Sequence, residues 1–148
     1  MWRRWLVRIG LGLVAAAAAG LLALWLDHRR VTELPAPTGP FAIGRTSYTW
    51  SDIRAWVWYP AAFPAPADAY LPPAIRGEWE RTRPAFINFL TRDLSKVRGH
   101  SARDVDLSPA QSTYPIVVRR GSALNFSSLP EDLASHGYIV AALEITAP

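Results

Sequence analysis

The hydrophobic pattern of the chain changes character several times. Ile9 to Leu26 is an uncharged apolar run of 18 residues, long enough as a helix to cross about 30 Å of hydrocarbon. Ile43 to Trp50 and Ile53 to Tyr59 are two strand candidates separated only by Ser51 and Asp52. In the second, Ile53, Ala55, Val57 and Tyr59 alternate with Arg54, Trp56 and Trp58. That is the period of a half-buried strand, and the short connection predicts an antiparallel hairpin. From Pro84 to Val97, the residues Phe86, Leu90, Leu94 and Val97 recur at spacings of four, four and three, which predicts one amphipathic helix. Ile116 to Val118 and Tyr138 to Ile145 are apolar throughout and flank a helical stretch. Strand, helix, strand with both strands apolar predicts a βαβ unit in a parallel sheet covered on both faces.

Local punctuation sharpens this last unit. Pro115 and Gly121 bound its first strand. The helix opens at Ser128, and Ser128 with Glu131 three residues on predicts a capping box. Pro130 sits in the first turn, where its missing N–H does no harm. Leu129 and Leu133 fall on one helix face, and Gly137 predicts a left-handed stop. Between the elements, Val31 to Pro40 carries Pro35, Pro37, Gly39 and Pro40 and reads as a semi-rigid extended spacer. Ala61 to Arg83, with Pro64, Pro66, Pro72 and Pro73, reads as loop. Gly99 to Tyr114 reads as polar and extended. The expected organisation is therefore an N-terminal anchor over 1–30, a proline-rich linker over 31–42 and an α/β domain over 43–148.

Charge changes the picture at one place. The net charge of +4 lies wholly in the first thirty residues, where Arg3, Arg4, Arg8, Arg29 and Arg30 face only Asp27. Beyond them basic and acidic residues cancel, so a folded nucleic-acid-binding surface is not expected. Trp2, Trp5 and Trp25 sit at the ends of the apolar run, where indoles favour a membrane interface. Arg8 can snorkel to the headgroups. The cationic excess before the run predicts the N-terminus inside and residues 31–148 outside the cytoplasm. The expected partner is a membrane through residues 9–26. Cleavage as a signal peptide within Ala15 to Ala19 would leave an apolar LLALWL terminus, so an uncleaved anchor is the expectation.

Candidate chemistry is sparse. There is no cysteine, which excludes disulfides, thiolate metal sites and a cysteine nucleophile. Three histidines, His28, His100 and His136, have no metal-ligand spacing. Gly10-x-Gly12-x-x-Ala15 lies inside the apolar run and follows no strand, so it is no dinucleotide fingerprint. Gly99-His100-Ser101 begins like a nucleophile elbow, but the fifth position is Arg103 and no apolar strand precedes it. Ser101 is therefore not expected to be a nucleophile. His136 at a helix end is expected to be a structural cap. Arg119 and Arg120 offer two cations to an anionic group or stand as solvated charges at a strand end. Trp56 and Trp58 are either core or, if the chain is a complete anchored binding or scaffold module, its ligand face.

Four stretches carry a family resemblance: LPAPTGPFAIGRTSYTW, VWYPA, VRGHSARDVDLS and RGSALNFSSLPEDLASHGYIVAALE. Together they resemble the N-terminal portion of bacterial α/β-hydrolases related to platelet-activating factor acetylhydrolase. The resemblance implies an α/β-hydrolase fold entered at its N-terminal edge, with the hairpin and the first βαβ unit present. It implies hydrolysis of a carboxylic ester, a phospholipid short acyl chain among the candidates, by a Ser-His-Asp triad and without a cofactor. It places an oxyanion-holding backbone N–H in the loop Gly121, Ser122, Ala123, with Ser122 the best candidate. No G-x-S-x-G stands in the chain. The sequence thus reads as the front part of a longer protein, with the triad beyond residue 148 and no activity of its own.

Overall fold

A computed structural model describes residues 2–91, 93–121 and 127–145. They cluster into two compact units, Met1–Val31 with Pro73–Lys96, and Thr32–Pro72 with Val97–Pro148.

The first unit holds the apolar helix α1, Trp2–His28. Its 27 residues rise about 40 Å, and it is long and apolar enough to cross a membrane. None of its residues is buried. Two short helices complete the unit, α2 (Pro73–Arg81) and α3 (Ala85–Leu90). The helix expected over Pro84 to Val97 is therefore broken. Thr91 is extended, at φ −97° and ψ 158°. Asp93 then starts a new turn, its Oδ1 accepting the Ser95 N–H at 2.8 Å, and Leu94–Lys96 is a 3-10 turn. Local side-chain bonding of this kind competes with helix continuation. Of the expected stripe only Val97 is buried, whereas Phe86 is 64% exposed. The stretch expected as loop contains α2, because Pro73 occupies a first helical position, where proline is welcome.

The second unit is a mixed five-stranded sheet. Its strands are β2 (Ala42–Trp50), β3 (Ile53–Ala61), β5 (Ala102–Arg103), β6 (Ile116–Arg120) and β7 (Ile139–Ile145), in the order β5-β2-β3-β7-β6. β2 and β3 form the expected hairpin, Trp50 opposite Ile53. Its two-residue turn holds Ser51 at φ +54°. β6 and β7 run parallel, joined through α4 (Ser128–Ser135), and β7 lies antiparallel to β3. This is the expected βαβ unit, but it sits in a mixed sheet and not a parallel one, and its second face is uncovered, with Ile116, Val118 and Ile145 exposed. The proline-rich stretch is stitched to the same unit: β1 (Thr32–Glu33) pairs with β4 (Val97–Arg98), and the Leu34 N–H donates to the Arg98 carbonyl. Ala69 and Arg98 bridge across the two points where the chain leaves and rejoins this unit.

The core lies under α4. Register places Arg45, Trp58 and Val140 side by side on one sheet face, followed by Ser47, Trp56 and Ala142. Trp56, Trp58, Val140 and Ala142 are all but inaccessible, so the tryptophans are core residues. That rules out the ligand face expected of a complete binding module. The helix meets this face through Pro130, Glu131, Ala134 and Ser135, which are buried. Of the pair expected on one helix face, Leu129 is 55% exposed and Leu133 half-buried. The small residues let α4 approach two large indoles, and volume is matched that way. At its far end the Gly137 N–H bonds Ala134 O and the Tyr138 N–H bonds Leu133 O. With Gly137 at φ +93° this is the Schellman stop the glycine promised. On the opposite sheet face, Tyr48, Trp50, Ile53, Leu143 and Ile145 are exposed.

Candidate functional site

The loop after β6 is where the resemblance places an oxyanion donor. Gly121 stands at φ +131°, and its N–H donates to the Leu143 carbonyl at 3.0 Å. That donor is committed to the sheet and is no free oxyanion ligand. Ser122 and Ala123 lie outside the described residues. Arg119 is half-buried and Arg120 exposed at the end of β6.

A buried polar cluster lies on the α4 side of the sheet. Glu131 is 1% exposed. Its carboxylate accepts the His100 N–H on both oxygens at 3.1 Å, the Ser101 N–H at 3.2 Å and the Ser101 hydroxyl at 2.9 Å. A β-carbon on Gly99 would sit 2.7 Å from Glu131 Oε1. Gly99-His100-Ser101 is thus an anion-holding nest of backbone N–H groups, and its glycine leaves room for the carboxylate. The expected capping box does not form. Ser127 is the N-cap residue and makes no side-chain capping bond, while Glu131 reaches back about thirty residues. Ser101 is 2% exposed and so lacks the access a nucleophile needs.

Arg45 supplies the neighbouring positive charge. Its guanidinium donates to Tyr70 O at 3.0 Å, Ala69 O at 2.7 Å and Asp68 Oδ2 at 3.1 Å. It also stands 5.5 Å from the centre of the Trp56 ring. Burial pulls its pKa below the ordinary arginine value, against the charges of Asp68 and Glu131, which pull it up. Arg103 Nε donates to the same Asp68 oxygen at 2.7 Å. Burial alone would raise the Asp68 pKa, but the hydrogen bonds from Arg103 and the Ala69 N–H, with both arginine charges, hold it below the usual carboxylate range. A cavity of about 60 Å³ beside Arg45, Arg103 and Trp56 has room for little more than a water or two. No motif in the sequence marks Arg45 and Asp68 as a pair. The Gly44-Arg45-Thr46 triplet was the only signal pointing to either.

A third constellation joins a hydroxyl, an imidazole and a carboxylate. Thr38 Oγ1 donates to Asp132 Oδ1 at 2.8 Å, and the Thr38 N–H donates to the same oxygen at 2.8 Å. His136 Nε2 lies 2.9 Å from Thr38 Oγ1. The hydroxyl proton is already given to Asp132, so the imidazole donates to the hydroxyl. In a hydrolytic triad the imidazole stands between hydroxyl and carboxylate and accepts the hydroxyl proton. Here the hydroxyl stands between, so no nucleophile is activated. His136 is the helix C-cap residue, as expected. His28 Nδ1 donates to the Thr91 carbonyl at 2.7 Å, beside a cavity of about 380 Å³ in the first unit. Among the described residues no group of three or more histidine, aspartate or glutamate side chains could hold a metal.

The sheet order, the hairpin and the βαβ crossover together define a mixed α/β fold. No protein-family model and no curated protein sequence matches the chain. Among solved structures it is similar to a ferulic acid esterase from Streptomyces cinnamoneus, with a TM-score of 0.59 at 24% identity. The match covers 78% of this chain and 36% of the esterase, so the chain spans about a third of that protein's length. This likeness establishes the fold.

Proposed function

We propose that the second unit is the front part of a carboxylic ester hydrolase domain, held at a membrane by α1. The mixed sheet with its βαβ crossover and the structural likeness to an esterase support this reading. The acetylhydrolase-like stretches narrow the substrate to esters of short acyl groups, phospholipids among them. Acyl transfer would use Ser, His and an acid that these 148 residues do not supply, with the Ser122 N–H as one oxyanion donor. The anchored domain would face the extracytoplasmic side, since the cationic excess precedes the apolar run.

Two measurements test this. The coding DNA beyond codon 148 is expected to contain an in-frame G-x-S-x-G followed by aspartate and histidine. A stop without such a motif would remove the ester-hydrolase reading. The purified 148-residue chain is expected to leave p-nitrophenyl acetate uncleaved, and Ser101→Ala to behave identically. Turnover abolished by Ser101→Ala would place the nucleophile where the burial argument excludes it.

A further inference from the structure

The carboxylate nest at Gly99–Ser101 has no part in ester chemistry, yet the carboxylate it holds is buried and accepts from three donors. A glutamate in the first turn of a helix ordinarily serves that helix's own N–H groups. Glu131 instead spends its bonding on a segment about thirty residues upstream, buried to 1% exposure. Burying a carboxylate is costly unless donors and a countercharge surround it. Here three donors converge from His100 and Ser101, Arg45 stands close enough for its charge to be felt, and Gly99 leaves no β-carbon in the way. The helix it locks begins at Ser128, immediately after the loop that opens at Gly121. That loop is fastened at its start by the Gly121 N–H to Leu143 O. At its end the Ser127 hydroxyl donates to Tyr70 at 3.0 Å, and Glu131 holds the first helical turn.

We infer that Glu131 is a positioning residue: its carboxylate, seated in the Gly99-His100-Ser101 nest, clamps the first turn of α4 and so fixes where the loop after β6 ends. The functional consequence rests on the ester-hydrolase reading, in which that loop presents an oxyanion donor. The clamp itself is independent of it. Glu131→Gln keeps the size, loses the charge and replaces one acceptor oxygen by an N–H₂ donor.

The test is amide hydrogen exchange of the full chain in detergent micelles, read by mass spectrometry on peptides covering 97–103, 120–131, 53–61 and 139–145. Glu131→Gln is expected to speed exchange in 97–103 and 120–131 by about tenfold or more, and to leave the two strand peptides within about twofold, since local openings need not involve the whole fold. Equal acceleration in all four peptides would make Glu131 a general stability residue and overturn the inference, as would no acceleration in any. Should Glu131→Gln fail to fold, Ser101→Ala decides. It removes one of three donors and keeps the charge, so exchange in 97–103 and 120–131 is expected to rise by about tenfold, and an unchanged pattern overturns the clamp. Catalysis is scored separately. A coding sequence without the nucleophile motif removes the hydrolase reading and leaves the exchange result standing. Uniform exchange with the motif present removes the clamp and leaves the hydrolase reading.

Discussion

Gly99→Ala is the sharpest test of the nest. The added carbon would lie 2.7 Å from Glu131 Oε1, 3.5 Å from its Cδ and 3.6 Å from Oε2. An exposed glutamate would swing aside at almost no cost. This one cannot, because the same Oε1 accepts the Ser101 hydroxyl at 2.9 Å and the Ser101 N–H at 3.2 Å. To gain room the carboxylate must give up at least one hydrogen bond to a charged group, about 1.5–3 kcal/mol. Full loss of its partners would cost about 3–5 kcal/mol. The expected destabilisation is therefore about 2–3 kcal/mol. Urea unfolding of the full chain in detergent micelles, followed by tryptophan fluorescence, would read it as a midpoint lowered by about 1 M for an m-value near 2 kcal/mol/M. A double-mutant cycle with Glu131→Gln isolates the cause. With the charged acceptor gone, Gly99→Ala should cost at least about 1 kcal/mol less than in the wild type. A change under about 0.5 kcal/mol, or strict additivity with Glu131→Gln, would refute the nest.

Other outcomes follow from the same geometry. Trp58→Ala should cost about 3–5 kcal/mol by the same unfolding assay, while Trp58→Phe should cost markedly less. The Trp58 indole N–H is buried without an acceptor, and phenylalanine removes that donor. Asp132 is held below the usual carboxylate range first by the Thr38 N–H, then by the Thr38 hydroxyl and the nearby His136. Its contribution to stability is thus present above the unfolded value of about 3.9 and lost as pH falls through the depressed folded value. Thr38→Val should raise the Asp132 pKa in an NMR titration and shrink that acid-side loss; an unmoved Asp132 would show that the hydroxyl bond is not formed in solution.

Much of the sheet was legible because its signals are local. Period-two alternation with a two-residue gap names the hairpin, and apolar runs closed by Pro115, Gly121 and Gly137 name the βαβ unit. Side-chain direction was not legible where partners come from afar. The spacing of Leu129 and Leu133 says that they share a side of α4, and not which side of the helix is buried. What decided the matter was the pair of indoles beneath, which admit Ala134 and Ser135, and the nest from residues 99–101, which admits Glu131. Likewise the stripe from Phe86 to Val97 had helical spacing, but the Asp93–Ser95 bond broke the helix. The Gly99-His100-Ser101 triplet shows the same limit at the candidate site. Its glycine does answer a steric demand, but the demand comes from a helix later in the chain.

The bridge between Ala69 and Arg98 brings together the two ends of the second unit's chain between which residues 73–96 run as a side excursion. The cost of closing such an excursion grows only by about 0.6 kcal/mol per doubling of its length. The stretch carrying α2 and α3 can therefore be lengthened, shortened or exchanged for another sequence while the strands on either side keep their register. A change of length there is expected to fall on the excursion and to leave the sheet as it is.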